Sequence, residues 1–261
     1  MRQAGFVRLE MKQFLILASN QPYFLPYIGY WQLINAADVF EICDDFNYIK
    51  GGWVNRNRIL INGQAGFYNI EINHATSNKK INELYLADFS VEKKLKQIQN
   101  SYSRSPYFES CMELMNRIFS CPDRNLADFL TFSIREICAY LGISTKIIRS
   151  SEYVHDRSLK KQYGIFDSCK LLGMDTYYNA IGGMELYSFE EFHENGLQLA
   201  FLKTGNVCYR QFGHNFVPNL SILDVMMFNS VPVIQEMLEQ YQLIDEDNRG
   251  DMPEWIHEEE N

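Results

Sequence analysis

The chain has 261 residues, 46% of them hydrophobic and 22% charged, which excludes a disordered chain and predicts one large domain with a full core. Its formal charge of −9 is mostly local, because the last 17 residues carry eight acids against Arg249 and leave a body near neutrality. A near-neutral body lacks the cations that non-specific nucleic-acid binding needs, so no nucleic-acid partner is expected.

The six cysteines are scattered, with no CxxC pair and no Cys/His spacing of a metal site; free thiols in a reducing compartment, a cytoplasmic location and no bound metal follow as expectations. No apolar run approaches the length of a membrane span. Residues 1–10 precede the first periodic segment and are expected to be a mobile extension, as is the acidic stretch 245–261. The single domain therefore spans 11–244.

In chain order, Phe14 to Ala18 reads as a buried strand that stops at Ser19-Asn20-Gln21-Pro22. Apolar residues at Ile28, Trp31, Leu33, Ile34 and Ala37 have helical spacing, and Val39 to Cys43 is a second strand ending at Asp44-Asp45. This is a βαβ unit with parallel strands. Residues 46–73 alternate between glycine turns and predict a β-hairpin insertion in which Tyr48-Ile49-Lys50 pairs across Gly51-Gly52. Three amphipathic helices, about 91–103, 107–119 and 125–141, form a helical insertion. Strand and helix alternation resumes with strands at 146–148, 176–178 and 197–202, helices ending near Leu171 and starting near Phe189, and two last helices from Ser221 and Pro232. The fold expected is α/β: a mostly parallel, Rossmann-like sheet covered by helices.

Ligands of open parallel sheets bind beyond the strand carboxyl ends, which puts Asn20, Gln21, Asp44, Asp45, Ser150, Ser151, Asn179 and Thr204 on one edge. Asp44 or Asp45 is the candidate general base, with Lys50 as a catalytic partner. On an extended strand Arg56 and Arg58 project together, roughly 7 Å apart, as a clamp for a diphosphate or carboxylate, while Asn55 and Asn57 project to the other side. Tyr23 and Trp53 supply an aromatic wall, and Asn219 is a further binding candidate. Ser221 with Asp224 three residues later reads as a capping box, a structural role. Of the histidines only His214 sits near a candidate segment, and no nucleophile elbow supports covalent catalysis.

Three blocks carry a resemblance: Gln21-Pro22-x-x-Leu25-Pro26-x-x-Gly29-Tyr30; Asp44-Asp45-x-x-Tyr48-x-Lys50-x-x-Trp53-x-Asn55-Arg56-Asn57; and Phe216-x-Pro218-x-Leu220-Ser221-Ile222-Leu223-Asp224. With these the chain resembles the WbqC-like family of bacterial surface-polysaccharide gene clusters. The resemblance implies a role in O-antigen or capsule biosynthesis on a nucleotide-linked or lipid-linked sugar. A transferase is the expected activity, with acyl transfer to an amino sugar its specific form. The alternative is a non-catalytic sugar-nucleotide binding or assembly protein, suggested by Asn20 and Asn206 where the family pattern carries histidine. A nucleotidylyltransferase-like enzyme is the second alternative; Tyr27 and Tyr30 occupy the places of that group's two histidines. No cofactor is indicated.

Overall fold

The computed structural model describes residues 15–249 except 155, 157, 158, 160, 161 and 214. The 1–10 extension, most of the acidic tail and His214 thus lie outside the described residues, whereas the tail's first residues form a turn in which Asp245 Oδ1 accepts from the amides of Asp247 and Asn248.

The expected βαβ unit is present: β1 (Ile16–Asn20) leads through α1 (Ile28–Asn35) to β2 (Val39–Ile42), paired in parallel with Leu17 opposite Val39 and Asn20 opposite Ile42. A separate antiparallel hairpin follows, β3 (Arg56–Ile61) and β4 (Gln64–Asn69), turning at Asn62-Gly63 where both residues take left-handed backbone. The short strands β5 (Ile72–Asn73) and β6 (Tyr85–Leu86) pair antiparallel. Tyr48-Ile49-Lys50 is not a strand, contrary to the hairpin reading. Its neighbour Asn47 makes only an isolated bridge to Lys80, and the Gly51-Gly52 turn is closed locally by Gly52 N–H to Ile49 O.

The helical segment holds α2 (Val91–Tyr102), α3 (Phe108–Phe119) and α4 (Leu126–Leu141). Ser90 caps α2 at Lys93 N, and Asn125 caps α4 at Ala127 N, 2.9 Å. Gly142, with φ of +73°, ends α4 in the left-handed conformation that a Cβ disfavours. The main sheet then continues with β7 (Lys146–Arg149), α5 (Gln162–Leu172), β8 (Thr176–Ala180), α6 (Phe189–Glu194) and β9 (Gln198–Thr204). After α7 (Ile222–Phe228) and α8 (Val231–Leu238) comes β10 (Tyr241–Ile244), which the sequence reading left out.

The sheet order is β10-β9-β8-β1-β2-β7, parallel throughout except for β10, which runs antiparallel to β9. This is a doubly wound α/β arrangement, and its strand order reverses between β1 and β8. The two faces bury separate cores. Ala18, Phe40 and Ile42 face a large core shared with α1, α4, α7, α8 and the inner side of the β3–β4 hairpin. Leu17, Tyr177 and Phe201 face a smaller one completed by Cys169 of α5 and Phe192 of α6. The inserted helices therefore belong to the main core and are not an appended unit.

Candidate functional site

Parallel pairing puts Asn20, Asp44, Asp45, Ser150, Asn179 and Thr204 at the carboxyl edge of one sheet. Along that edge the β9 side and the β2–β7 side lie roughly 14 Å apart at ordinary strand spacing, and they are built differently.

On the β2–β7 side the two aspartates are fastened to the turn after β7. Asp44 is fully buried; Ser150 Oγ (3.1 Å) and Ser151 N (3.0 Å) donate to its Oδ1 and Ser151 Oγ (2.7 Å) to its Oδ2, with Arg149 Nη1 3.8 Å away. Asp45 Oδ1 lies 2.5 Å from the same Ser150 Oγ and so competes with Asp44 for its single hydroxyl proton. The carboxylate of Asp44 thus closes one strand end onto the next, and its charged partner is Arg149, not Arg56 or Arg58. Cys43 beside them is buried, and burial, then Glu41, pushes its thiol well up.

At the strand-order reversal both amides turn to their own backbone. Asn20 Oδ1 accepts from Gln21 N (2.8 Å); Asn179 Oδ1 accepts from Ala180 N (2.7 Å), and its Nδ2 donates to Tyr177 Oη (3.2 Å). The following loop is rigid because α1 holds it from inside: Tyr30 Oη donates to Gln21 O and Trp31 Nε1 to Pro26 O, both at 3.0 Å. Gln21 Oε1 is buried without a hydrogen-bond partner among the described residues. Tyr23 packs on Tyr30, and burial, with Cys43 and Tyr27 adding, raises its phenol.

The hairpin meets this loop directly. Phe24 N–H donates to Val54 O (3.0 Å), Ser221 N–H to Arg58 O (2.8 Å) and Ile222 N–H to Pro26 O (2.9 Å), so the 21–27 loop, β3 and the start of α7 lock together. The two arginines then part. Arg56 spends its guanidinium on the carbonyls of Gly51 and Gly52 and lies over the Phe67 ring, 4.4 Å from its centroid. Arg58 instead reaches the Asn219 carbonyl with Nη2 (3.2 Å) and flanks Trp53 at 5.8 Å, while its Nε is buried and has no partner among the described residues. The expected two-arginine clamp is thereby reduced to Arg58.

The remaining candidates divide likewise. Asn55 is structural, accepting from Tyr48 Oη (2.8 Å) and donating to Ile70 O (2.9 Å). Asn57 is buried, its Oδ1 accepting from Arg58 N. Lys50 is exposed on the glycine turn. Asn219 is exposed with φ of +56°, a backbone state Asn tolerates better than most residues.

Asn219 also lines a cavity of about 300 Å³ on the β9 side, between α1, the end of β9 and the 205–220 connection. Its polar lining includes Thr204, Asn206 and Tyr209, and its apolar lining Ile28, Phe216 and Val225. Tyr209 and Phe216 meet edge to face at 5.1 Å. Gly29 keeps the neighbouring wall tight: a Cβ there would stand 2.5 Å from the Tyr27 ring and overlap the Thr204 hydroxyl. Among the described residues no Asp, Glu, Lys or Arg lines the cavity, and Arg58 is joined to its lining through the carbonyl of Asn219.

The sequence reading missed Asp224. It is not the return partner of a capping box: Ser221 Oγ accepts from Leu223 N, but Ser221 N–H goes to Arg58 O, and the Asp224 carboxylate turns inward to Tyr102, Tyr209 and Gln211. The signal was its place inside the apolar run Ile222 to Phe228, where a helical carboxylate has no solvent face.

Among the described residues no group of three or more His, Cys, Asp or Glu converges as a metal site, and no helix is long and apolar enough to cross a membrane.

The WbqC-like protein family model matches residues 21–236, and the chain belongs to that family. It is also similar to a protein of Mycobacterium tuberculosis (strain ATCC 25618 / H37Rv) called "Uncharacterized protein Rv1507c". The two are 26% identical over 223 residues, covering 84% of this chain and 94% of that one. No solved structure matches.

Proposed function

We propose that the protein is a transferase acting on a nucleotide-activated or lipid-linked sugar of surface-polysaccharide biosynthesis, with acyl transfer to an amino sugar as its specific form. The observation that carries this reading is Arg58, whose guanidinium reaches the carbonyl of Asn219, a residue that lines a cavity with no charged residue among its lining. A cation joined to the lining suits a phosphate, and a neutral cavity of amide, hydroxyl and aromatic groups suits an uncharged sugar. Asp44 and Asp45, the candidate bases of the sequence reading, sit on the β2–β7 side roughly 14 Å from this cavity, so the base for a sugar held in it is not assigned to either. The test is a thermal-shift screen of nucleotide sugars and acyl donors at millimolar concentration, because a ligand of the native state raises its stability by mass action. A shift with a nucleotide sugar, abolished by Arg58→Ala, is the expected result; no shift with any of them rejects the reading.

A second reading, a binding or assembly protein of the same pathway, is favoured by Asn206 lining the cavity where the family pattern has histidine. It predicts nucleotide-sugar binding without turnover, and activity appearing in an Asn20→His, Asn206→His double variant.

A further inference from the structure

Asp224 is fully buried in the first turn of α7, and its hydrogen bonds run to two separate parts of the chain. Tyr102 Oη, from the last residue of α2, donates to Oδ2 at 2.8 Å. Tyr209 Oη and Gln211 Nε2, from the connection after β9, both donate to Oδ1 at 2.7 Å. A carboxylate is acceptor-only, and here it meets three donors. Burial pushes its carboxyl up, and the bonds from Tyr209, Tyr102 and Gln211 pull the other way.

One arm ends on β3, two residues from Arg58, and the other on the connection that lines the cavity. Tyr102 Oη accepts the Leu60 N–H at 2.8 Å, two residues beyond Arg58 on β3. That acceptance obliges the phenolic proton to point at Asp224. The second arm closes the loop opposite: Gln211 Oε1 accepts from Val217 N (2.8 Å) and its Nε2 also reaches Val217 O (3.1 Å), while Tyr209 presents its ring to the cavity and to Phe216. The strand that carries Arg58 and the loop that carries Tyr209 and Phe216 are thus tied through one buried carboxylate. A hydrophobic residue would fill such a site at less desolvation cost, so the charge serves placement more than stability.

We infer that Asp224 is a positioning residue that sets the span between Arg58 and the Tyr209–Phe216 wall, and so the fit of the ligand in the cavity. This rests on the reading of that cavity as the ligand site.

The test compares full-length wild type with Tyr102→Phe, Tyr209→Phe and Arg58→Lys by amide hydrogen exchange and by binding of UDP-N-acetylglucosamine. Tyr102 makes no bond to Val217, yet Tyr102→Phe is expected to speed Val217 exchange by about tenfold, and Tyr209→Phe to speed Leu60 exchange comparably, as loss of a bond to a buried charge predicts. Arg58→Lys leaves both amides as in wild type. Tyr102→Phe, whose side chain is outside the cavity, also weakens binding by about tenfold. Unchanged Val217 exchange in Tyr102→Phe together with unchanged Leu60 exchange in Tyr209→Phe overturns the linkage, whatever the ligand does. Faster exchange with undiminished binding overturns the positioning role. Faster exchange in variants of a wild type that does not bind the sugar nucleotide leaves the linkage standing and rejects the sugar reading instead.

Discussion

Arg58 and Asn219 are 161 residues apart in the chain, yet the guanidinium of one donates to the backbone carbonyl of the other at 3.2 Å. A positive charge that ends on a main-chain oxygen, with no ion pair to a carboxylate among the described residues, keeps most of its field for an incoming anion. Arg58→Ala is therefore expected to remove stabilisation by any phosphate-bearing ligand while leaving the ligand-free unfolding midpoint within a few degrees of wild type. Thermal shift with and without nucleotide sugar measures both.

Asp44 should behave in the opposite manner. Replacing it with Ala leaves the Ser151 N–H and hydroxyl without their acceptor, while Ser150 keeps Asp45 and Arg149 keeps Asp128 and Glu152, and the cost of such losses is of the order of 2 kcal/mol. Urea unfolding of Asp44→Ala should show that loss. A variant as stable as wild type but inactive would instead make Asp44 a participant in the chemistry.

Gly29→Ala addresses the cavity wall. The added methyl displaces the end of the Tyr27 side chain or the Thr204 hydroxyl, both movable groups, so the fold should lose little. The cavity loses its shape beside Ile28 and Thr204. Ligand affinity is expected to fall by about tenfold or more, readable by calorimetry.

Thiol titration follows from burial. Cys111, Cys138 and Cys169 are each pushed up to about 12 by desolvation. The folded state then holds protons that the unfolded chain, titrating near 8.5, has released. Between those values the folded chain binds more protons, so stability falls as pH rises, by up to about 1.4 kcal/mol per pH unit for each thiol. Denaturant midpoints should be flat from pH 7 to 8 and drop above pH 9. Exposed Cys208 should react first with a thiol reagent, and the three buried thiols only on unfolding.

The elements with local signals could be read from the chain alone. The βαβ unit follows from periodicity and the Asn20-Gln21-Pro22 stop, and the three inserted helices from their apolar spacing. What stayed hidden is settled at long range. Arg56 and Arg58 look equivalent on a strand, and only the Gly51-Gly52 carbonyls on one side and Asn219 on the other separate them. Asp224 reads as a helix cap until Tyr102, 122 residues earlier, is brought against it. Tyr241–Ile244 is four residues long with half-exposed alternation, too little to mark a strand before its partner β9 is known.

That last strand has a consequence for how the chain can be cut. Because β10 covers the outer side of β9, the strand that ends at the cavity is paired on both sides, and Gly205 N–H is taken by Gln240 O at 2.8 Å. A chain shortened before Tyr241 would leave β9 as an open edge of unpaired amides and carbonyls, ready to recruit a strand from another molecule. Self-association of such a truncated protein would begin beside the cavity itself, and ligand binding and solubility would be lost together.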